Sequence, residues 1–304
     1  MAAGLEIRRA THDDYEAVKS VSETVWPDHG GDYLHRVYHD WLEDADDDTK
    51  RTFVADAGDE LAGIVQAVML SPEEAWFQGM RVNADYRRQG VSTRLNDACF
   101  EWARDQGATV GRIMTYSWNV AALGAARAGG FEPVTEFRWA QPDPDPDADG
   151  PLPVSNDPAA AWRYWADSPA RDHLRGVALS PEESWAVCEL TREILATVGE
   201  ETAVFAVHGD DGVAGASYRT REYERRTDDG AIVTWVEYGV GAWDGLEAAR
   251  SLFAAIARDA ATLGADRVRV LIPETVGFVS DASLVAEGIS EEPDFVLGID
   301  LTEA

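Results

Sequence analysis

The run Gln141-Pro142-Asp143-Pro144-Asp145-Pro146-Asp147-Ala148-Asp149-Gly150-Pro151 most constrains how this chain folds. Each proline removes a backbone donor and the alternating carboxylates repel one another, so the segment reads as an extended linker. It lies at the middle of a 304-residue chain, which prompts a comparison of the two halves. In the first half, Leu5–Arg9 reads as a strand and Thr11 to about Val25 as a helix with Thr11 at its N-cap. Thr52–Asp56, Leu61–Leu70 and Glu74–Val82 read as strands. Gly90 to about Gln106 follows as a helix with Val91, Leu95, Ala98, Cys99 and Trp102 on one face, ended by Gly107. Arg112–Tyr116 is a strand, Asn119–Ala128 a short helix and Glu136–Ala140 a closing strand. The second half repeats this order. Arg175–Leu179 is a strand, and Ser180-Pro181-Glu182-Glu183 reads as a capping box opening a helix to about Val198. Strands over Thr202–His208, Val213–Tyr218 and Ala231–Val240 precede a helix over Leu246–Leu263, and strands over Arg267–Ile272 and Phe295–Leu301 finish the order. Placing Gly245 on Gly90 brings Gly264-Ala265 within two residues of Gly107-Ala108. The expectation is an α/β (α+β) chain of two tandem domains, residues 1–141 and 158–304, joined by a Pro/Asp-rich linker at 142–157.

Charge narrows the partners. With 56 acidic and 26 basic residues the net charge is −30, so phosphate backbones and anionic membranes should repel the chain unless a basic patch reverses the field locally. Neither a nucleic-acid nor a membrane partner is expected. No apolar run nears the roughly 18–20 residues of a membrane span, and Met1-Ala2-Ala3-Gly4-Leu5-Glu6 lacks the pattern of a signal peptide, so a cytoplasmic protein is expected. Only Lys19 and Lys50 are lysines, and acidic excess without lysine looks like the salt-adapted proteins of halophiles. Cys99 and Cys188 have no metal-ligand or disulfide spacing, so no metal is expected.

The chemistry concentrates in Met80-Arg81-Val82-Asn83-Ala84-Asp85-Tyr86-Arg87-Arg88-Gln89-Gly90-Val91-Ser92-Thr93-Arg94-Leu95. A strand enters this stretch and an amphipathic helix leaves it, so backbone N–H groups and the positive end of the helix dipole converge where the helix starts. That is a site for a phosphate or pyrophosphate. Arg81, Arg87, Arg88 and Arg94 crowd into it against the acidic background, and Gly90 lets the backbone approach an anion. Dinucleotide and P-loop glycine motifs are absent.

Arg87-Arg88-Gln89-Gly90-Val91-Ser92 resembles the acetyl-coenzyme A signature of the Gcn5-related N-acetyltransferase (GNAT) superfamily, [QR]-x-x-G-x-[GA], with Ser92 in place of the last small residue. The preceding strand end Met80-Arg81-Val82, Asn119-Val120-Ala121-Ala122 and Gly130-Phe131 resemble further landmarks of that family, and the likeness covers about residues 5–141. The resemblance implies two tandem GNAT-like domains, each a mixed, mostly antiparallel sheet flanked by helices. It further implies that the backbones of Met80 and Val82 pair with the pantetheine arm of acetyl-coenzyme A, with Arg81 among the cofactor-binding residues. Amides across Arg88, Gln89, Gly90, Val91 and Ser92 would hold the pyrophosphate, Arg87 and Arg88 would add charge, and Asn119 would contact the arm or fix the local backbone. Acetyl transfer to a primary amine by direct attack, without a metal, is the implied reaction. The alternative is a non-catalytic acyl-coenzyme A sensor or interaction module.

Departures fall where protons move. Where many members carry a proton-donating Tyr this chain has Ala126, and where a histone-acetylating branch has its basic Glu it has Trp76. Glu74, of the same strand parity as Trp76, and Tyr116 are the substitute catalytic candidates. The second copy aligns Arg87, Arg88, Gln89 and Ser92 with Ala242, Trp243, Asp244 and Glu247, so carboxylates replace arginines there and it reads as degenerate. His35 and His39, four apart, are read as packing and surface residues because no Glu follows the first. Trp26–Asp32 lies in a region that often lines the acceptor pocket in this superfamily, with a flexible surface loop as the equal alternative. A small-molecule or peptide amine is the expected partner, with homodimerisation left open.

Overall fold

The computed structural model describes residues 4–23, 25, 32–43, 49–227 and 230–302. It contains two compact units, one within residues 1–114, 119–133 and 297–304, the other within residues 115–118 and 134–296. Each is built on a mixed sheet flanked by helices, which is the expected fold class.

The first unit begins with β1 (Glu6–Arg9), where Thr11 and Asp14 then form a reciprocal capping box that opens a 3-10 turn. Helices α1 (Tyr15–Ser22), α2 (Leu34–Val37) and α3 (Asp40–Glu43) follow. Their apolar side chains Val18, Val21, Leu34, Tyr38 and Leu42 pack with Val54 and Ile64. Strands β2 (Lys50–Asp56), β3 (Leu61–Met69) and β4 (Glu74–Val82) run antiparallel in order beside β1. A parallel neighbour needs a crossover, and α4 (Val91–Asp105) carries the chain from β4 to β5 (Val110–Tyr116). Val91, Leu95, Cys99 and Trp102, the face read from the sequence, are buried. After α5 (Val120–Ala128) the unit is completed from the far end of the chain. The Leu301 N–H donates to the Thr109 carbonyl at 2.9 Å, Arg104 Nε donates to the Leu301 carbonyl at 2.8 Å, and Ile299 lies beside Gly111.

The second unit takes β6 (Glu132–Gln141) from Val134 onward, then β7 (Val154–Ser155), α6 (Pro158–Ala166), α7 (Pro169–His173), β8 (Val177–Leu179), β9 (Val187–Glu189) and α8 (Arg192–Glu201). It continues through β10 (Val204–Gly209), β11 (Gly212–Arg226), β12 (Ile232–Tyr238), β13 (Ala242–Trp243), α9 (Gly245–Thr262), β14 (Arg267–Pro273), α10 (Val276–Ala282), β15 (Gly288–Ile289) and the start of β16 (Asp294–Asp300). Its strands neighbour one another in the order β6-β14-β12-β11-β10-β7, with β12 and β14 parallel.

Two local expectations change. Ser180 does bond the N–H groups of Glu182 and Glu183, at 3.3 and 3.1 Å, but the chain turns instead of starting a helix. The Ser180 and Glu183 carbonyls, which a helix would have used, accept the Arg221 guanidinium, and Trp185 turns left-handed at φ 60° to lead into β9. The helix starts later, at α8 under a Thr191 cap. The Pro/Asp segment is laid along α9: Asp145 N–H donates to the Ala257 carbonyl at 3.1 Å, Leu152 N–H to Ser251 Oγ at 2.8 Å, and Arg258 to the Ala148 carbonyl. Prolines leave few N–H groups in this stretch to satisfy, and α9 supplies acceptors for two of them.

A buried ionic layer crosses the second sheet. The Arg269 guanidinium lies 4.3 Å from the Trp139 ring and 4.1 Å from Trp185, and it pairs with Glu237. Burial pushes the neighbouring Asp294 carboxyl up to about 6, against the opposing 2.8 Å hydrogen bond from Trp139 Nε1 and the charge of Arg269. A raised acid pKa means that the folded state holds a proton the unfolded state has released. The stability Asp294 contributes is therefore full below about pH 4 and is lost as pH rises to about 6, in total roughly 3 kcal/mol. Asp294→Asn keeps an acceptor for Trp139, so the stability difference between variant and parent should grow across that interval and level off above it. Urea titrations at pH 4, 5, 6 and 7 measure this; a constant difference would refute it.

Candidate functional site

β4 carries the geometry that makes a site. Gln66 pairs with Gln78 and Ile64 with Arg81, so β4 has one extra residue between these pairs, a bulge. Gly79 takes it at φ 67°, and a Cβ there would overlap the Trp41 indole, so glycine is required twice over. On its other edge β4 pairs with β5 only from Glu74–Val110 to Trp76–Arg112, although β4 runs on to Val82. Past that point the two strands share no ladder pair, which leaves a splayed edge from Phe77 to Val82 with backbone groups turned toward the gap. An extended ligand arm can add to such an edge as a strand does.

The turn after β4 is organised by its own polar groups. Asn83 Oδ1 accepts from the Asp85 N–H at 3.1 Å, and Gln89 Nε2 donates to the Asp85 carbonyl at 2.8 Å. Arg88 and Gly90 are both left-handed, at φ 61° and 79°. For a non-glycine residue this costs roughly 1–2 kcal/mol. The first helical bond of α4 runs from the Arg94 N–H to the Gly90 carbonyl at 3.1 Å, so the N–H groups of Val91, Ser92 and Thr93 precede the helix's own acceptors. Left-handed residues next to a helix start form a concave set of donors suited to an anion. A Cβ placed on Gly90 would meet nothing within 4 Å, so there is room for one, and the Arg87 and Arg88 side chains are exposed beside it. This arrangement fits a diphosphate.

Each expected residue now has a place. Met80 and Val82 lie on the splayed strand, and Gly90, Val91 and Ser92 form the helix start. The Arg81 side chain faces elsewhere: Nε and Nη2 donate to the two Asp32 oxygens, each at 2.8 Å, in a buried bidentate pair. Burial alone would raise the Asp32 carboxyl, but the Arg81 guanidinium outweighs it and Asp32 titrates below the usual range. The Gln89 amide fixes the turn, and Asn119 Oδ1 caps α5 by accepting from the Ala122 N–H at 3.2 Å. Glu74 sits at the closed end of the splay, buried and ion-paired with Arg112. Tyr116 lies in the second unit, where its ring stacks on Trp118 with centroids 5.1 Å apart and meets Trp185 edge-on. Trp76 and Ala126 are buried. Of the Trp26–Asp32 loop, only Asp32 lies within the described residues. Asp32, expected only as part of an acceptor-side loop, holds Arg81 instead, and Trp41 and Gly79 were missed as site residues; a lone glycine inside a strand pattern was the one sequence signal for the bulge.

The matching place in the second unit is closed. Gly245 starts α9 at φ 77°, as Gly90 precedes α4, but the Gly241 N–H donates to the Leu271 carbonyl at 2.7 Å and continues the β12–β14 pairing beyond Tyr238–Val270. Trp243 fills the turn, its ring 5.5 Å from Phe253 and 4.8 Å from Phe278, with Nε1 donating to Asp281 at 3.0 Å.

Comparison with known proteins places this geometry. The model of the Acetyltransferase (GNAT) family matches residues 18–131. A GCN5-related N-acetyltransferase from Sphaerobacter thermophilus superposes with a TM-score of 0.63 at 14% identity, over 98% of this chain and 96% of that one. A provisionally named acetyltransferase from Thermoplasma acidophilum gives 0.58 at 16% identity, over 97% and 99%. At these identities the likeness is one of fold. No curated protein matches the sequence.

Proposed function

We propose that this chain, whose residues 18–131 match the model of the Acetyltransferase (GNAT) family, moves an acetyl group from acetyl-coenzyme A to a primary amine. The observation that carries the proposal is the left-handed turn at Arg88 and Gly90, which aims unbonded helix N–H groups beside a strand with an open edge. The turn would take the diphosphate, and the backbone of Met80 and Val82 would take the arm, so the thioester would lie along the splay.

In the reaction the amine lone pair attacks the thioester carbonyl, the new C–N bond forms, the C–S bond breaks, and the nitrogen's proton passes to solvent or to the departing thiolate. Ala126 and Trp76 supply no acid or base. The proposed catalytic contribution is therefore mainly positioning of the two reactants. Glu74 could accept a proton, directly or through water, only by giving up its ion pair with Arg112, and Tyr116 could donate one only from its stack with Trp118. Glu74→Gln is expected to lower kcat by no more than about threefold, against the 10²–10⁴-fold typical of losing a general base. Thiol release measured across an amine panel tests this, and a hundredfold loss would make Glu74 the base.

The buried Ala126 and Trp76 also favour a second reading, a sensor that binds acyl-coenzyme A without turning it over. Calorimetric binding without thiol release on any amine would select that reading, and no binding at all would remove both. The likeness of β4–α4–β5 to β12–α9–β14, each a parallel pair joined through a helix that opens at a left-handed glycine, supports an ancestral duplication whose second copy gave up its ligand turn.

A further inference from the structure

The bulge at Gly79 decides which residues of β4 face its open edge. On the incoming side the Glu73 carbonyl accepts the Val110 N–H of β5 at 3.2 Å, while the Glu74 carbonyl accepts the Leu70 N–H at 2.9 Å on the β3 side. Backbone groups alternate between the two edges of a strand, so odd-numbered residues turn to β5 there. On the outgoing side the phase has changed. The Asn83 N–H donates to the Ala62 carbonyl of β3 at 2.9 Å, so Met80 and Val82 turn to the open edge. Without the extra residue, Gly79 and Arg81 would turn there instead. Arg81 Nη1 takes one lone pair of the Met80 carbonyl at 3.0 Å and leaves the other to a ligand.

The bulge is held from α3. The Trp41 indole packs against Gly79 so closely that a Cβ there would overlap it, and the Trp41 main chain is fixed as well. Trp76 Nε1 donates to Gln78 Oε1 at 3.2 Å, and Gln78 Nε2 donates to Gln66 Oε1 at 2.8 Å. Gln66 Nε2 then donates to the Trp41 carbonyl at 3.2 Å and to Thr52 Oγ1 at 3.1 Å. The chain of bonds begins at an indole N–H, which can only donate, and ends at a carbonyl, which can only accept, so both amides have one orientation. Gln66 and Thr52 are buried, where a polar group stripped of its partner is costly. The chain thus runs from β4 across β3 to the residue whose ring sits on the bulge. We propose that Trp41 is a positioning residue for the pantetheine arm: by holding the Gly79 bulge it keeps the Met80 and Val82 backbones turned to the open edge. The proposal rests on the acetyl-coenzyme A reading above. None of the Trp and Gln groups is charged, so this hold does not weaken with salt, unlike the attraction at the arginine turn.

The test separates the arm from the nucleotide. Calorimetry compares coenzyme A with its own nucleotide half, the same adenine, phosphorylated ribose and diphosphate without the arm, on the full-length parent and on Trp41→Ala. Backbone hydrogen bonds to the arm are at stake, so the variant should bind coenzyme A at least about tenfold more weakly and the nucleotide within about twofold of the parent. Trp41→Phe, which keeps a ring over Gly79, should recover most of the loss. Gln66→Leu, which frees the Trp41 carbonyl and leaves the indole itself, should show the same selective loss in smaller measure. It carries the comparison if circular dichroism finds Trp41→Ala unfolded. The selective loss should be the same at low salt and in molar KCl, and a loss that shrinks with salt would trace to charge and overturn the proposal. A parent that binds neither ligand overturns the acetyl-coenzyme A reading and the proposal with it. Equal losses for the two ligands, or no loss for either, overturn the role of Trp41 and leave that reading standing.

Discussion

Asp32→Ala should destabilise the first unit by about 3–5 kcal/mol, because it leaves the Arg81 guanidinium charged and buried without its partner. Both side chains are nearly inaccessible, at 8% and 1% exposure, and both Asp32 oxygens are engaged at 2.8 Å. Exposed ion pairs are worth about 1 kcal/mol or less, so only burial makes the effect this large. The double variant Asp32→Leu with Arg81→Met should recover most of the loss, since it removes both charges together. Urea unfolding of the three proteins gives the comparison. A single variant within 1 kcal/mol of the parent would show that the pair is hydrated. The pair also ties the chain just before α2 to β4 two residues past the bulge, so Asp32→Ala should weaken acetyl-coenzyme A binding as well.

Arg88→Glu should weaken acetyl-coenzyme A binding by about 30–100-fold at low salt. It replaces a favourable charge beside the diphosphate with an opposing one, and two such changes at about 4 Å are worth about 2–3 kcal/mol in a solvent-exposed setting. At molar salt the Debye length is about 3 Å, so the same substitution should cost markedly less. Calorimetry of both proteins at 0.05 and 2 M KCl measures the two ratios. An effect that does not shrink with salt would point to backbone strain at φ 61° rather than charge as its origin.

The strand, turn and helix around Gly90 were legible because each signal there is local: helical spacing from Val91 to Trp102, glycine at both ends, and arginines against an acidic background. What was not legible depends on partners far away in sequence. Arg81 looked like a ligand residue because its ion-pair partner lies 49 residues earlier. His35 and His39 looked like packing and surface residues of one helix, yet His39 meets the His12 ring 27 residues away. Ser180 gave a true capping signal, but a helix cap and a tight turn bond the same N–H groups, and only the claim of Arg221 on the Ser180 and Glu183 carbonyls decided between them. The departures at Trp76 and Ala126 were visible from the start, and both positions are taken up by packing in the structure.

The completion of the first unit by residues 297–302 has a consequence for synthesis. A chain emerging from the ribosome has translated everything from Met1 to β5 long before the residues that bond Thr109 and Arg104 exist. Until Leu301 arrives, the β5 side of that unit must wait with its edge uncovered, so the first unit's folding is timed by residues translated after the whole of the second. A polypeptide stopped at residue 141 should therefore aggregate or stay open. Adding residues 297–302 as a separate peptide should restore it, because the first unit then has the partner of Thr109 and Arg104 that the shortened chain lacks.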